Sequence, residues 1–542
     1  MYMKTHDQFL PQFLVMCRTI VLVLVITVTV TLTDGCIKRP SVASGDDDGH
    51  YCVCNATYCD QAPDAIEPLN PAEYILITSS KSGLRFHVSN GAFENVDSDR
   101  IDSKPQKKDI NHAKPTKIIV NNMDTYQEIF GFGGAVTDAA AINILNLTDE
   151  ASENLLKSYF GPHGINYSII RTPMGGSDFS TRPYAYAMRE NDTLLEDFNL
   201  QPEDYNYKIP VMKRAQKLKG EINLITAPWS APLWMKTNNS WTHAGKLRPE
   251  YRQLWADYFV KYFQAYRNEK LEFWGLTPQN EPRAYIYLPV SLHLNNMKWA
   301  PEEESDWIVD YLCPSLKKNG FEHIKIFSMD ENRLALPDWP EKVFQNKKAR
   351  DIVSGIAVHY YFDEVIGPHN LDEVKRLFPE KSFIYTEACA GYASEEKVIL
   401  GSWARGELYA KNIIQTLSHW ASTWIDWNLA LDLIGGPTYI SNFVDSPIIV
   451  NSTADEFYKQ PMFYALGHFS KYIPPNSVRI GTTTENENKK VQSVAFSTPD
   501  NGTVLVILNQ NEEEKEVLIE DSTKGITRIN VSGKSINTMK YW

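Results

Sequence analysis

The 542-residue sequence holds no HExxH pair, no glycine-rich phosphate loop and no nucleophile-elbow motif. Zincin, P-loop and Ser-His-Asp hydrolase chemistry therefore have no motif to rest on. A basic surplus is missing too. The net charge of −13 argues against a nucleic-acid footprint, which needs a basic face. No apolar run is long enough for a comfortable membrane span of about 20 residues. Residues 19–32, TIVLVLVITVTVTL after Lys4 and Arg18, instead read as a signal-peptide core cleaved between Leu32 and Cys36. An uncleaved anchor stays open, because FLVMC extends the run upstream of Arg18. Cysteine is scarce, but Cys36, Cys52, Cys54 and Cys59 crowd into one short segment. That reads as a two-disulfide knot in an oxidising compartment. A zinc knuckle is the alternative, with no histidine at ligand spacing to favour it. Cys17 falls in the signal segment, and Cys313 and Cys389 read as buried thiols.

What is present is material for a large core: 43% apolar residues, with aromatics at 12%. Sequons at Asn55, Asn146, Asn166, Asn191, Asn238, Asn451, Asn501 and Asn530 agree with a secretory route. From about residue 126, strand-like runs alternate with helical segments: EIFGFGGA, YSIIRTPM, INLITAPW, LEFWGLTP, IKIFSMDE, VSGIAVHYY, SFIYTEAC and STWIDWNLA. Leu254, Tyr258, Tyr262 and Tyr266 form one stripe on the helix before the fourth run. Continuous apolar strands covered by helices predict a closed (β/α)8 barrel. After about residue 477, VQSVAFS, TVLVILNQ, KEVLIED, TRINVSG and SINTMKYW follow one another without helices and predict a β-sandwich. YILITSSKSGLRFHVSN near residue 74 has the same character and is expected to complete that sheet.

In such a barrel the polar residues at the C-terminal strand ends are the default site candidates. They are Asp178, Trp229, Asn280, Glu281, His359, Tyr361, Glu387, Trp427 and Asn428. Two glutamates at different strand ends, among aromatics and hydrogen-bonding groups, are the parts of a glycoside hydrolase. One carboxyl protonates the leaving oxygen, and the other attacks the anomeric carbon or activates water. The acid needs an apolar or anionic setting to hold its proton, whereas the nucleophile needs a cation such as Arg171. Asn280 can hydrogen-bond the sugar 2-hydroxyl, and Trp229 and Trp427 can offer apolar faces. Each residue has a plainer reading: a loop ion pair for a lone glutamate, a helix cap for Asp178 or for Asp138 in TDAAA, a satisfied core residue for His359 or Tyr361. The functional reading rests on the set taken together.

At these residues the sequence resembles glycoside hydrolase family 30, in its glucosylceramidase (acid β-glucosidase) branch. The likeness runs from CVCNATYCD to the C-terminus and includes KGEINLITAPWSAPLWMKT, GIAVHYY, IDWNLAL, NFVDSPIIV and FYKQPMFYALGHFSKYIP. The resemblance implies Glu281 as acid/base, Glu387 as nucleophile and a retaining mechanism without metal or organic cofactor. It implies glucose contacts from Asp178, Trp229, Asn280, Trp427 and Asn442, with Arg171, His359 and Tyr361 orienting the carboxyls. It also implies pairings Cys36–Cys52 and Cys54–Cys59. The expected architecture is a signal peptide over 1–35 and a small β domain from 36–65 and 429–460. A sandwich from 66–122 and 477–542 and a barrel from 123–428 and 461–476 complete it. The implied substrate is a glycosphingolipid at a membrane surface in the lysosomal lumen, with a saposin-type activator and a lysosomal sorting receptor as partners. Secretion is the alternative location. Departures fall in RAYIYLPVSLHLNNMKWAPEE after Glu281, where a methionine stands in place of a frequent family cysteine, and in the longer acidic DDDG linker. A family 30 enzyme acting on xylan or β-1,6-glucan and a non-catalytic glycan-binding relative are the competing expectations.

Overall fold

The computed structural model describes residues 35–42, 49–94, 114–283, 286 and 293–542. The apolar segment 19–32, Cys17, most of DDDG and nearly all of AYIYLPV lie outside the described residues. Among the described residues no helix is long and apolar enough to cross a membrane.

Eight parallel strands close into a barrel: β1 (Gly131–Ala135), β2 (Ile169–Met174), β3 (Asn223–Pro228), β4 (Phe273–Leu276), β5 (Lys325–Asn332), β6 (Gly355–His359), β7 (Ser382–Glu387) and β8 (Ala421–Asn428). Each pairs with its neighbour in sequence, and β8 returns to β1. Six of the eight fall within the runs read as strands from the sequence, while β5 runs one residue past its run to Asn332 and β8 starts one residue early at Ala421. Close approach of β1 to β2 depends on glycine: a Cβ on Gly133 would run into the Ile169 carbonyl oxygen. The helix α1 (Arg252–Asn268) has no glycine or proline in its span and buries Tyr258, Tyr262 and Tyr266 against the barrel. Leu254, at its first turn, stays partly exposed.

The pleat decides what fills the barrel, because alternate residues on a strand share a face. Ile169, Ile225, Phe327, Ala357, Ile384 and Ile425 form one buried apolar layer. Two residues further along the same faces come Arg171, Ala227, His359, Thr386 and Trp427. On β5 the parity changes. The register with β6 slips between Met329 and Glu331, leaving Asp330 as an extra residue. Met329 (φ +83°) and Asp330 (φ +50°) take left-handed conformations there. Such a bulge re-aims a side chain, and here it sends Asp330 into the barrel, where it meets Arg171.

A nine-stranded sheet joins both ends of the described chain. The strand Glu73–Ser80 lies between Ser535–Tyr541 and the edge strand His87–Ala92, and Thr116–Glu128 lies beside Val478–Glu485. The last two strands were not anticipated from the sequence. Val504, Val506 and Leu508 pack into the cluster shared with the barrel helices, whereas Leu505 and Ile507 face the sheet's own core. Burial on both faces explains why this strand reads as a continuous apolar run.

A five-stranded sheet combines Ile37–Pro40 and His50–Asn55 with Glu456–Lys459, Ile448–Asn451 and Leu431–Asp432. Disulfides join Cys36 to Cys52 and Cys54 to Cys59. Of the free cysteines, Cys389 is buried, but Cys313 is only partly so, because its helix faces solvent on one side. The three strands after residue 430 follow directly from β8, so this small sheet anchors the segment that carries Asn442 back to the barrel mouth.

Candidate active site

Glu387 ends β7, and Arg171 reaches it from β2. Arg171 Nη1 donates to Glu387 Oε2 at 2.5 Å, and Nη2 donates to Asn280 Oδ1 at 2.8 Å and Asp330 Oδ2 at 2.9 Å. The guanidinium is fully buried and lies over the rings of Trp229 and Trp427, 5.1 and 5.3 Å from their centroids. Those indoles stack on one another at 5.2 Å, forming one aromatic wall. Tyr361 donates its hydroxyl to Glu387 Oε1 at 2.6 Å. Glu387 thus accepts from a cation on one oxygen and from a phenol on the other.

Glu281 lies five residues past β4 and has a left-handed φ of +42°. Its N–H donates to the Asp330 carbonyl at 2.9 Å. His359 Nδ1 faces Glu281 Oε1 at 3.1 Å, and Nε2 faces Asp330 Oδ1 at 3.0 Å. Burial pushes the Glu281 carboxyl up to about 7, against the pull of His359 and with the help of Glu331 and Glu387. Burial also opposes a charged His359, but Glu387 and Asp330 outweigh it and lift the ring to about 10. Asp330 goes the other way: burial alone would raise it, yet Arg171 and His359 hold it well below the usual carboxylate range. Glu281 and Asp330 are thus driven apart across His359, so that Glu281 can hold a proton that Asp330 gives up.

Asp178 follows β2 and accepts from Asn442 Nδ2 at 2.9 Å. Burial and the nearby Glu387 push it up to about 7. Its loop is fixed by Asp138, which accepts from Ser180 at 2.6 Å and from Tyr184 at 3.1 Å. Asp138 is not itself the helix cap: Thr137 caps that helix, accepting from the Ala140 N–H at 3.0 Å. Asn428 is turned away from this group and accepts from Thr137 at 2.7 Å.

The structure therefore brings together Arg171, Asp178, Trp229, Asn280, Glu281, His359, Tyr361, Glu387, Trp427 and Asn442. It adds residues the sequence reading passed over. Asp330 is held by Thr277 and Thr386, each donating at 2.6 Å. Gln279 ties the β4 loop to the β3 loop by donating to the Trp229 carbonyl at 2.8 Å. The acidic pair ending SMDE at a strand terminus was the available signal for Asp330.

Glu281, His359 and Glu387 present ligand-type atoms within 4.8 Å of one another. A charged imidazole donating from both nitrogens has no lone pair for a metal. Cys54, Cys59 and Asp60 are also close, but the disulfide leaves no thiolate there.

Two carboxyls and an aromatic wall at the mouth of a (β/α)8 barrel define the class of glycoside hydrolases. Residues 129–473 match the glycosyl hydrolase family 30 TIM-barrel domain, and 476–539 match the family 30 beta sandwich domain. The chain belongs to glycosyl hydrolase family 30 and is an enzyme of that family. It is 39% identical to lysosomal acid glucosylceramidase of Mus musculus over 503 residues, covering 90% of this chain and 92% of that one. Among solved structures it is similar to SrfJ from Salmonella typhimurium, with TM-score 0.78 and 25% identity over 86% of this chain and 99% of that one. It is also similar to the endo-β1,6-glucanase BT3312, with TM-score 0.75 and 26% identity over 86% and 99%.

Proposed function

We propose that this enzyme is a retaining β-glucosidase that hydrolyses glucosylceramide to glucose and ceramide. The observation that carries the mechanism is the spacing of Glu281 and Glu387, whose nearest oxygens lie within 4.8 Å. Retaining pairs stand about 5 Å apart, whereas inverting pairs leave room for a water at about 6.5–9.5 Å. Glu387, ionised beside Arg171, attacks the anomeric carbon as Glu281 gives its proton to the leaving oxygen. The C–O bond to the aglycone breaks and a glucosyl ester forms on Glu387. Glu281, now a carboxylate, takes a proton from water, which attacks the same carbon and releases glucose and free Glu387. Asp178 and Asn442 are assigned to the glucose hydroxyls, Asn280 to the 2-hydroxyl, and the Trp229–Trp427 wall to the ring.

The lipid aglycone is supported by the likeness to a lysosomal acid glucosylceramidase. It is supported too by exposed apolar residues on the segments after β4, β6, β7 and β8: Ile286, Val365, Tyr392, Leu433 and Ile434. An apolar rim around the mouth fits a lipid surface. This reading implies the lysosomal lumen reached through the secretory pathway, with a saposin-type activator and a sorting receptor as partners. The similarity to an endo-β1,6-glucanase supports a second reading, in which the substrate is a β-1,6-glucan.

Purified protein assayed on glucosylceramide vesicles, with and without anionic lipid, and on β-1,6-glucan and xylan separates them. Preferential release of glucose from the vesicles is the expected result. Turnover confined to either polysaccharide would overturn the lipid assignment and leave the family intact.

A further inference from the structure

The β5 bulge carries more of the site than any other piece of backbone. The Asp330 side chain binds Arg171, His359, Thr277 and Thr386, while the Asp330 carbonyl receives the Glu281 N–H. Yet Met329 and Asp330 both sit at left-handed φ, a conformation that strains a non-glycine residue. Without a brace the strand would relax to regular pairing. A one-residue slip would then return Met329 to the barrel interior and turn Asp330 out.

A brace is present. The helix α2 (Pro301–Trp307) buries Glu304 completely against β5. Glu304 Oε1 accepts from the Ser328 hydroxyl at 2.5 Å and from the Met329 N–H at 3.3 Å, the two donors just ahead of the bulge. Burial pushes this carboxyl up to about 7. Under acidic conditions it is therefore a neutral acid that keeps its acceptor oxygen. Leucine would fill the space without desolvating a carboxyl, so the polar group is explained by the two donors it satisfies.

We propose that Glu304 is a positioning residue: it pins Ser328 and Met329 so that Asp330 enters the barrel and the Glu281 backbone is held in line. This rests on the assignment of Glu281 as the proton donor. The alternative, a glutamate that merely joins α2 to the barrel, predicts lost stability with unchanged chemistry.

Aryl β-glucosides with good and poor leaving groups distinguish them, because only poor leaving groups need the Glu281 proton. Glu304→Ala is expected to lower kcat/KM, which reports the glucosylation step, about tenfold or more on the poor leaving group and much less on the good one. Glu304→Gln keeps the acceptor oxygen and is expected to restore kcat/KM to within about twofold of wild type. Ser328→Ala should lower kcat/KM on the poor leaving group in the wild-type background and add nothing to Glu304→Ala, as partners in one contact do. An equal proportional loss of kcat/KM on both substrates for Glu304→Ala, whatever its Tm, would overturn the proposal. So would a Ser328→Ala effect that is simply additive. If Glu304→Ala does not fold, Ser328→Ala decides alone, and unchanged leaving-group dependence counts against the proposal. Wild-type protein inactive on every β-glucoside would instead sink the glucosidase reading itself.

Discussion

At one end of the barrel Ile169, Ile225, Phe327, Ala357, Ile384 and Ile425 fill the interior with hydrocarbon. A pleat further along the same strands, Arg171, Asp330, His359 and Glu387 fill it with charge. The strands are shared, so the difference lies in the side chains and in register slips, at Asp330 on β5 and at Thr386 on β7. The apolar layer excludes water from beneath the ionic network, and in that low dielectric each charge strongly shifts its neighbours. This is how a carboxyl held down at Asp330 and one pushed up at Glu281 coexist on either side of His359.

The contrast can be broken from the charged end first. Glu387→Gln should lower turnover of an aryl β-glucoside by about 10⁴-fold or more in a protein that still folds. Residual activity near wild type would remove Glu387 from the nucleophile role. Asp330→Asn leaves Arg171 and His359 without their shared anion. It should lower kcat about 100-fold and cost about 3 kcal/mol in urea unfolding, the loss expected when one partner of a buried pair is removed.

The network also fixes the sign of the pH response. Glu281, Asp178 and Glu304 are each pushed up to about 7, so the folded state holds protons that the unfolded chain releases above the ordinary carboxylate range. Their contribution is complete below the unfolded pKa and is lost as pH rises through about 7. His359, lifted to about 10, acts in the same direction above 6.5. His468, lowered by burial to about 3, opposes them up to about 6.5, and Lys236, lowered to about 7, opposes them at higher pH, but the three carboxyls together outweigh the single histidine. Thermal unfolding should therefore show a Tm about 5 °C lower at pH 7 than at pH 5. The alkaline limb of kcat should fall near 7 as Glu281 loses its proton. A Tm that rises between those pH values would contradict the account of the carboxyls.

At the apolar end the effects are smaller and of another kind. Ile384→Val should cost about 1 kcal/mol of stability and leave kcat within twofold, as measured by urea unfolding beside steady-state kinetics. A large kcat effect would mean that the apolar layer positions the network rather than insulating it.

Much of this was legible in the sequence, because the barrel strands are continuous apolar runs that end in polar residues. The runs around QNEP and YTEA pointed to Glu281 and Glu387 by simple counting to a strand end. Asp330 was hidden by parity: regular alternation from Phe327 places Met329 inside, and nothing local announces the slip. The stacking of Trp229 on Trp427 joins strands far apart in sequence. The strand Thr116–Glu128 begins as a buried alternation but runs into the polar NNMD, which blurs its period. In each case tertiary partners, not local preference, settled the outcome.

The central claim is that Glu281 and Glu387 act as a closely spaced pair through a glucosyl-enzyme ester. Proton NMR of the first-formed sugar during hydrolysis of an aryl β-glucoside tests it most directly. The account predicts β-glucose, appearing before mutarotation produces the other anomer. Initial release of α-glucose would contradict it.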